Sequence, residues 1–480
     1  MGGHCQGPGS KCDVFSSPVG FVAQCFADMI RSMNVVIAGA GEVGRHTAEV
    51  LAHVGHNIVM IDRSAETLAA VEDVLDVSTM LGSACDARVL TLAGVPNADL
   101  LVAATDTDEI NLLCAAIGKG LGAKKTIARV HHSAYQETEP INYALHLNID
   151  ALIPPEYLTS LEIARMLRNP GAMAVELFAR GQIEMQQIFV NEGAEAIGVS
   201  LKDLRAKLPR GALLGAIDRG GDAFVPGAES VIQAQDIVWL LGESASFAQA
   251  RALFQKGRIP RRHIVIMGGT AMTVWLARQL RGRHFSVRVF VTDRARAEEL
   301  AEKLSHVTVV HADPSDPVTF AEEHVEEADA FVALSENDEH NILTAVQAKS
   351  AGVKQTVVVI QQPTYLHLLE SIGIDHAYSP RVIASREILR MADESPLQKL
   401  ATLAQDVADI YQIQPTRGSR AVDTQLVNLR FPKGCFVAAI EKGGDVSVPG
   451  AKHVIHEGDR VVVIAKHGIE RDLRQFFLGK

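Results

Sequence analysis

The chain has 480 residues, of which 47% are hydrophobic and 21% are charged, as is ordinary for a globular protein. This length is enough for several domains. The formal net charge of −11 argues against broad electrostatic binding to nucleic acid or anionic lipid. The apolar runs are strand-length, far short of the ~18 residues of a membrane span. We therefore expect no nucleic-acid partner and no direct insertion into a membrane.

The first residues lack the features of a folded or targeting segment. Residues 1–32 show no basic region followed by an apolar core, and Met33 stands one residue before the first predicted strand. We interpret residues 1–32 as a disordered extension or as an artefact of an upstream start site. The six cysteines include no CxxC pair, which favours a reducing cytosol over a disulfide frame or a zinc ribbon.

From Met33 onward, short apolar strands alternate with helical stretches. The predicted strands are NVVIAG, NIVMID, DLLVAAT and KTIARV, and a helical stretch follows each of the first three. Such alternation predicts a parallel sheet wound by right-handed crossovers, the Rossmann arrangement. The next segment instead has strands around an RGGD turn ending at Asp222, together with a short helix. Because glycine favours a hairpin there, we predict a small α+β module.

This two-part unit then occurs a second time along the chain. Gly39 aligns with Gly268 and Asp236 aligns with Asp459, at offsets of 229 and 223 residues. The predicted fold class is therefore α/β: a tandem duplication of a Rossmann-like parallel-sheet domain followed by a small α+β C-terminal module. We predict Rossmann domains at residues 33–155 and 261–381, and C-terminal modules at residues 156–258 and 382–480.

The stretch GAGEVG between the first strand and helix has the glycine spacing of a dinucleotide site. Its residues are Gly39, Ala40, Gly41, Glu42, Val43 and Gly44. We expect Gly39 to form the tight turn, Gly41 to let the backbone approach a pyrophosphate, and Gly44 to let the helix pack on the strand. The free amides of Glu42 and Val43 at the helix start would then favour the anion. The alternative is a turn that needs glycine for packing alone.

Four polar residues lie where a bound nucleotide would meet the sheet. Asp62 ends the second strand and can accept a ribose hydroxyl, which favours NAD(H), although the adjacent Arg63 keeps NADP open. Thr105 and Asp106 close DLLVAAT at the carboxyl edge where ligands bind, or they cap the next helix. Arg129 ends KTIARV at the same edge and faces a phosphate or forms a surface salt bridge.

The second copy of the turn, GGTAMT, keeps only the first glycine. Thr270 and Thr273 stand at the positions of the other two glycines. Val291 replaces the ribose carboxylate, Asp293 lies two positions further on, and Val359 replaces the arginine. Since the close approach, the carboxylate and the basic group are all altered, we predict a weak or empty site in the second Rossmann domain.

These motifs resemble the RCK/KTN family of cytosolic regulators of potassium transport. The resemblance rests on the GAGEVG turn, ATDTDEIN, ARV and the twin modules with GGD and PG, and it covers nearly everything from Met33 to Lys480. It implies a homo-oligomeric ring on the inner face of the cell membrane that gates a membrane-embedded potassium translocator. It also implies dinucleotide contacts at residues 39–43, Asp62, Thr105, Asp106 and Arg129. NAD(H) is the expected ligand, with ATP or ADP as alternatives at the same site.

Neither Rossmann segment is followed by a recognisable catalytic motif. The sequence has no HExxH, GxSxG or Walker A pattern. Its histidine pairs have no carboxylate or cysteine residues beside them at metal-ligand spacing. We therefore expect a regulator with no catalytic or metal-ligating residues. Two alternatives stay open: an NAD-dependent oxidoreductase with unrecognised catalytic residues, and a nucleotide-responsive regulator of another transporter.

Overall fold

The computed structural model describes most of the chain from residue 32 to residue 479. The residues outside this description within that span are 136–139, 169–174, 179–182, 210, 221, 243–245, 256–260, 283, 393–394, 404–407 and 443–444. The extension predicted at residues 1–32 thus lies outside the described residues except for residue 32. Within the described part, no helix is both long and apolar enough to cross a lipid bilayer. The same part contains no cluster of three or more His, Cys, Asp or Glu side chains able to hold a metal ion.

The first Rossmann domain is a parallel sheet with helices on both faces. Its strands are β1 (Asn34–Ala38), β2 (Asn57–Asp62), β3 (Ser78–Leu81), β4 (Leu100–Ala103), β5 (Lys125–Arg129) and β6 (Ala151–Ile153). Its helices are α1 (Glu42–His53), α2 (Ala65–Glu72), α3 (Ala87–Leu92), α4 (Asp108–Leu121) and α5 (Tyr143–His146). The strand order β3-β2-β1-β4-β5-β6 is that of the dinucleotide-binding Rossmann fold.

Strand β1 shows why these segments form a buried parallel sheet. Val35 and Ile37 belong to one core cluster, whereas Val36 and Ala38 belong to another. Successive side chains of a strand point to opposite faces, and here both faces are covered by helices. A run of apolar residues, rather than strict alternation with polar ones, is the consequence.

The first C-terminal module is an antiparallel sheet reached through a long helix. The elements are α6 (Pro155–Arg168), β7 (Val175–Phe178), β8 (Ile183–Phe189), α7 (Leu201–Lys207), β9 (Ala212–Arg219), β10 (Asp222–Phe224), β11 (Ile237–Gly242) and α8 (Phe247–Phe254). The sheet order is β10-β9-β11-β8-β7. Strands β9 and β10 pair Arg219 with Asp222, so the RGGD segment is a hairpin as predicted.

The second half repeats both sheets. Its Rossmann elements are β12 (Arg262–Met267), α9 (Ala271–Gln279), β13 (Phe285–Val291), α10 (Arg294–Lys303), β14 (Thr308–His311), α11 (Pro317–Glu322), β15 (Ala330–Ala333), α12 (Asp338–Ser350), β16 (Thr356–Val359), α13 (Leu366–Leu369) and β17 (His376–Tyr378). The remaining elements are α14 (Pro380–Ala392), β18 (Leu397–Leu403), β19 (Ala408–Ile413), β20 (Cys435–Lys442), β21 (Asp445–Ser447), β22 (Arg460–Lys466) and α15 (Glu470–Phe477). The sheet orders, β14-β13-β12-β15-β16-β17 and β18-β19-β22-β20-β21, match those of the first half. The predicted tandem α/β fold is therefore confirmed.

The two halves exchange the long helices that follow their Rossmann sheets. Ile163 of α6 is buried in the same cluster as Leu276 of the second Rossmann domain. Ile388 of α14 is buried in the same cluster as Ile37 of the first. Each helix therefore completes the core of the other half. The predicted boundaries between Rossmann domain and C-terminal module fall in the first turns of α6 and α14, and they stay predictions.

The two C-terminal modules also share a core. Trp239 and Leu241 of the first sheet are buried together with Ile410 and Ile464 of the second. A Cβ on Gly215 would lie 2.6 Å from the Leu241 Cδ1 atom and 3.0 Å from the Ile464 Cδ1 atom, which indicates how closely the sheets approach. The two halves thus share three hydrophobic cores, two made by the exchanged helices and one by the C-terminal modules.

Candidate functional site

The first turn requires glycine at its two ends for steric reasons. Gly39 has φ of 107°, and a Cβ there would lie 2.6 Å from the carbonyl oxygen of Ala104. A Cβ on Gly44 would lie 1.9 Å from the carbonyl oxygen of Gly39. A Cβ on Gly41, in contrast, would meet no described atom within 4 Å. The space in front of Gly41 is therefore open to a ligand.

The start of α1 presents main-chain donors to that open space. The first hydrogen bond along α1 runs from the Arg45 N–H to the Gly41 carbonyl, at 2.8 Å. Gly41 is the N-cap and has no side chain to accept from the first-turn amides. The N–H groups of Glu42 and Val43 thus have no partner within the helix, and the helix dipole adds to their attraction for an anion.

Asp62 at the end of β2 lies directly beside this turn. The Ala40 N–H donates to its Oδ2 atom at 2.7 Å, and the Ser64 N–H donates to its Oδ1 atom at 2.9 Å. A carboxylate offers about four acceptor sites, so lone pairs remain for ribose hydroxyls. The adjacent Arg63 donates from its Nη2 atom to the Ser83 hydroxyl at 3.4 Å.

Thr105 and Asp106 lie at the carboxyl end of β4, as expected, but Thr105 is already engaged. Its N–H and its hydroxyl both donate to the Asn111 Oδ1 atom at 2.7 Å. The second copy repeats this contact between Ser335 and Asn341, at 2.9 and 2.6 Å. Because the arrangement persists where the glycine turn has changed, it holds the connection between strand and helix in both halves. Asp106 is exposed.

The fully buried Asn111 ties two strand ends together. Its Nδ2 group donates to the carbonyl oxygens of Thr105 at 3.1 Å and Arg129 at 3.0 Å. Nearby, the buried Asp108 accepts the N–H groups of His131 and His132 at distances between 2.8 and 3.0 Å. These side chains fix the carboxyl edge at which a ligand would bind.

Arg129 at the end of β5 is half-buried. Its Nε atom is buried and has no hydrogen-bond partner among the described residues. Burial lowers the pKa of the Arg129 guanidinium, the nearby carboxylates of Glu156 and Asp108 raise it, and the guanidinium of Arg381 lowers it. Arg129 therefore stands in a mixed field of charges contributed by both halves of the chain.

A residue of the second half reaches the first turn. The Arg381 Nη1 atom, at the start of α14, lies 3.1 Å from the Glu42 Oε2 atom. Behind this contact, the buried hydroxyls of Thr47 and Ser385 lie 3.1 Å apart and join α1 to α14. The Glu42 carboxylate also lies 3.4 Å from the Arg45 guanidinium. Residues of both halves thus lie beside the first turn and the start of α1.

The second turn keeps the backbone shape of the first but carries different side chains. Gly268 has φ of 130°, and its N–H donates to the Phe290 carbonyl at 3.0 Å, as Gly39 does to Ile61. The buried hydroxyl of Thr273 donates to the Gly268 carbonyl at 2.8 Å. Val291 is 4% exposed at the end of β13, so no carboxylate stands at that position.

Two charged residues occupy the surroundings of the second turn. Arg296 lies across it, with its Nε donating to the Gly269 carbonyl at 2.6 Å and its Nη1 2.5 Å from Glu299. Asp293 does not reach back to the ribose position, because it caps α10 by accepting the Arg296 N–H at 2.7 Å. The prediction of a weak or empty second site stays a prediction, and this geometry is compatible with it.

Sequence reasoning missed four residues of this region. Asn111 and Asp108 had a usable signal, since DEIN and DEHN persist in both copies while the glycines do not. Arg381 also had one, because Glu156 with opposite charge stands at the equivalent position after proline in the first half. Arg296 had none, since its contact with the turn depends on side-chain direction.

The fold and the site together define a class of protein: a duplicated nucleotide-binding type of Rossmann domain, each copy joined to an antiparallel module. Known proteins share this organisation. The TrkA-N domain family matches residues 35–154 and 264–380, and the TrkA-C domain family matches residues 185–255 and 410–478. The chain therefore belongs to the TrkA family, which confirms the resemblance to RCK regulators.

Relatives match over nearly the full chain. The Trk system potassium uptake protein TrkA of Haemophilus influenzae is 31% identical over 437 residues, which cover 90% of this chain and 95% of the relative. A TrkA homolog of Archaeoglobus fulgidus is 32% identical over 434 residues, covering 90% and 97%. The solved GsuK channel bound to NAD is 16% identical with a TM-score of 0.59, covering 94% of this chain and 80% of that one, and shows the same fold.

Proposed function

We propose that this chain is a regulatory subunit that binds NAD(H) at the first Rossmann turn and gates a membrane-embedded potassium translocator of the Trk type. The observation that carries the proposal is the open approach at Gly41, flanked by the amides of α1 and the Asp62 carboxylate. These groups match a pyrophosphate and a ribose hydroxyl respectively. ATP or ADP would use the same groups and is the alternative ligand.

Gating requires that the nucleotide bind two conformations of the protein unequally. A coupling of about 1–3 kcal/mol is typical of such regulation. The exchanged helices could transmit the effect of binding, because α14 of the second half packs against α1 beside the proposed ligand position. A shift of α1 on binding would therefore alter contacts in both halves.

The proposal includes a homo-oligomeric ring on the cytoplasmic face of the membrane. Leu113 and Leu343 occupy equivalent positions in α4 and α12, and both are well exposed, at 51% and 70%. We propose these two leucines as contacts between copies of the chain. The names of the relatives, as potassium uptake proteins, support a potassium translocator as the partner.

We assign no catalytic role to the chain. The relatives named above are uptake proteins, and each Rossmann domain is followed by an antiparallel module whose inner face is buried against its duplicate. An oxidoreductase would instead need a substrate pocket facing the nicotinamide. Hydride transfer from NADH to any member of a broad panel of carbonyl substrates would contradict this assignment.

Calorimetry on the full chain with NADH, NAD⁺, ATP and ADP tests the ligand part of the proposal. We expect one high-affinity event per chain, abolished in Gly41→Val, because the new side chain would occupy the open approach. Gly120→Ala is the matched control: Gly120 is an exposed helical glycine with equally open surroundings. It should bind as the wild type does.

Potassium uptake tests the gating part. Cells that depend on the Trk translocator should regain nucleotide-responsive uptake with the wild-type chain and with Gly120→Ala, but not with Gly41→Val. The absence of any nucleotide binding by the wild-type chain would overturn the proposal. Normal nucleotide binding without any effect on uptake would instead favour a regulator of another transporter.

A further inference from the structure

Two arginines, one from each half of the chain, lie near the GAGEVG turn at residues 39–44. Arg129 belongs to the first half, and its buried Nε lacks a hydrogen-bond partner among the described residues. Arg381 belongs to the second half, and its side chain is only 22% exposed. Burial has the largest effect on the pKa of Arg129 and lowers it, the carboxylates of Glu156 and Asp108 raise it, and the guanidinium of Arg381 then lowers it. Arg381 therefore adds a second positive charge close to Arg129, in a region that also holds carboxylates, and a guanidinium beside helix amides favours an anion.

The carboxylate that pairs with Arg381 is that of Glu42. The Arg381 Nη1 and Glu42 Oε2 atoms lie 3.1 Å apart, and Glu42 is the first residue of α1, directly after Gly41. The Glu42 side chain is 51% exposed, so this ion pair is open to solvent and weak. A phosphate arriving at the amides of Glu42 and Val43 would compete for the same guanidinium.

We propose that Arg381 is a positioning residue for the first nucleotide site: it exchanges the Glu42 carboxylate for a phosphate of the bound nucleotide. Binding at one Rossmann turn then changes the contact between the two halves. This inference rests on the proposed function, because it requires a phosphate-bearing ligand at the first turn.

The second half of the molecule provides an internal comparison. Helices α6 and α14 align from Pro155 and Pro380 onward, so Glu156 occupies the position of Arg381. The Tyr157 and Trp275 rings, 4.9 Å apart, bring the start of α6 against α9 of the second Rossmann domain. Helix α6 thus contacts the second domain through Tyr157, whereas the Glu156 carboxylate lies 2.8 Å from His131 of the first domain.

The two turns differ in the basic residues that a phosphate would meet. At the first turn, these are Arg129 and Arg381. Val359 and Glu156 stand at the equivalent positions of the second turn, so neither arginine has a counterpart there. The Glu156 carboxylate itself lies 2.8 Å from His131 and close to Arg129, in the first domain. The second turn therefore lacks both basic residues, independently of the glycine substitutions.

The test compares NADH and adenosine binding to the full chain by calorimetry. Arg381→Gln should weaken NADH binding about tenfold or more, the loss expected for one hydrogen bond to a charged group. Adenosine, which has no phosphate, should bind Arg381→Gln and the wild type equally. Arg386→Gln is the matched control: Arg386 is exposed on the same helix and pairs with Glu162. It should leave both affinities unchanged.

A second variant separates exchange of partners from a static ion pair. Glu42→Gln frees Arg381 and should tighten NADH binding severalfold in the wild-type background, but by less in Arg381→Gln. Hydrogen exchange of α14 should slow on addition of NADH in the wild type and stay unchanged in Arg381→Gln. Ligand-free thermal unfolding of Arg381→Gln should match that of Arg386→Gln, which excludes misfolding as the cause.

The outcomes distinguish this inference from the proposed function. If the wild type binds NADH and Arg381→Gln binds it equally well, Arg381 is a structural residue and the inference alone is overturned. Equal effects of Glu42→Gln in the wild-type and Arg381→Gln backgrounds would also overturn the inference. So would a hydrogen-exchange rate of α14 that does not change when NADH is added to the wild type. A wild-type chain that binds no nucleotide would overturn both proposals.

Discussion

At the first Rossmann turn, the three glycines of GAGEVG differ in what a side chain would meet. Gly39 and Gly44 face main-chain carbonyl oxygens at 2.6 and 1.9 Å, whereas Gly41 faces open space. These surroundings are compatible with the three distinct roles predicted from the motif, since only the middle glycine is free of a packing requirement. Substitution should therefore separate stability from ligand binding.

Gly44→Ala should destabilise the protein by about 1–3 kcal/mol, because its Cβ would overlap the Gly39 carbonyl oxygen and force α1 outward. Gly41→Ala is the matched variant, and its unfolding temperature should stay near that of the wild type. Thermal unfolding without nucleotide measures both. An equal loss in the two variants would show that Gly41 also has a packing role.

A second residue-scale feature is a pair of equivalent carboxylates, Asp150 and Asp375. Burial raises the pKa of Asp150, but its hydrogen bonds with Lys119 and the Thr126 N–H lower the pKa by more, so that it lies below its ordinary value. The Lys119 Nζ and the Thr126 N are each 2.7 Å from its Oδ2 atom. The pKa of Asp375 is lowered in the same way.

These shifts predict acid sensitivity. A carboxyl whose folded pKa is depressed adds stability above its unfolded pKa, and this stability is lost as pH falls through the folded pKa, here below about pH 4. The unfolding temperature should therefore drop as pH falls below about 4. Asp150→Asn should flatten part of that drop, whereas Asp76→Asn, at an exposed position, should not. A parallel acid profile in Asp150→Asn would contradict the assignment.

At the scale of secondary-structure elements, the exchanged helices α6 and α14 are the main departure from two independent copies. Their buried residues Ile163 and Ile388 are equivalent in sequence, yet each lies in the core of the opposite half. An exchange of identical elements between repeats joins their stabilities, because neither Rossmann sheet is fully covered by its own half.

This exchange gives a matched pair of variants. Ile388→Ala and Ile163→Ala should each cost about 2–5 kcal/mol, the range for a buried isoleucine. Only Ile388→Ala should also weaken NADH binding, since Ile388 packs beneath the first Rossmann sheet, next to α1. Unfolding and calorimetry on the two variants check this. Weaker binding in Ile163→Ala of the same size would mean that the loss reflects general destabilisation.

At the scale of the whole molecule, the proposed ring requires contacts that one chain cannot make with itself. Leu113 and Leu343 are the candidates, because both are exposed on helices in equivalent positions of the two Rossmann domains. Burying a leucine contributes about 1.5–3 kcal/mol, so that repeated pairs would stabilise an assembly substantially.

The double variant Leu113→Lys and Leu343→Lys should therefore dissociate the assembly, because a charge would be buried at each contact. Light scattering at several concentrations measures the molecular mass. Val427→Lys, at a position 62% exposed in the second C-terminal module, is the control and should leave the mass unchanged. An unchanged mass in the double variant would place the contacts elsewhere.

Much of the fold could be predicted because its signals are local or repeated. The alternation of β1, α1 and β2 is readable from periodicity, and the constant offset between copies extends that reading to the second half. The predicted ligand residues also lie together, at the carboxyl edge of the first parallel sheet. Local sequence patterns could not distinguish residues that would contact a ligand from residues that only hold the fold together. Thr105 is an example, because its hydroxyl donates to Asn111 in an arrangement that the second copy retains.

The sequence by itself determined the duplication, the Rossmann type of each large domain and the position of the intact glycine turn, since glycine spacing and hydrophobic period act over a few residues. Only the tertiary structure decided which half each long helix covers. The two copies present similar apolar faces. The sequence therefore indicates that α6 and α14 pack against a sheet, but it does not indicate which of the two sheets each helix covers. The contact of Arg381 with Glu42, 339 residues away, follows from that choice and places a charge of the second half at the proposed ligand site of the first.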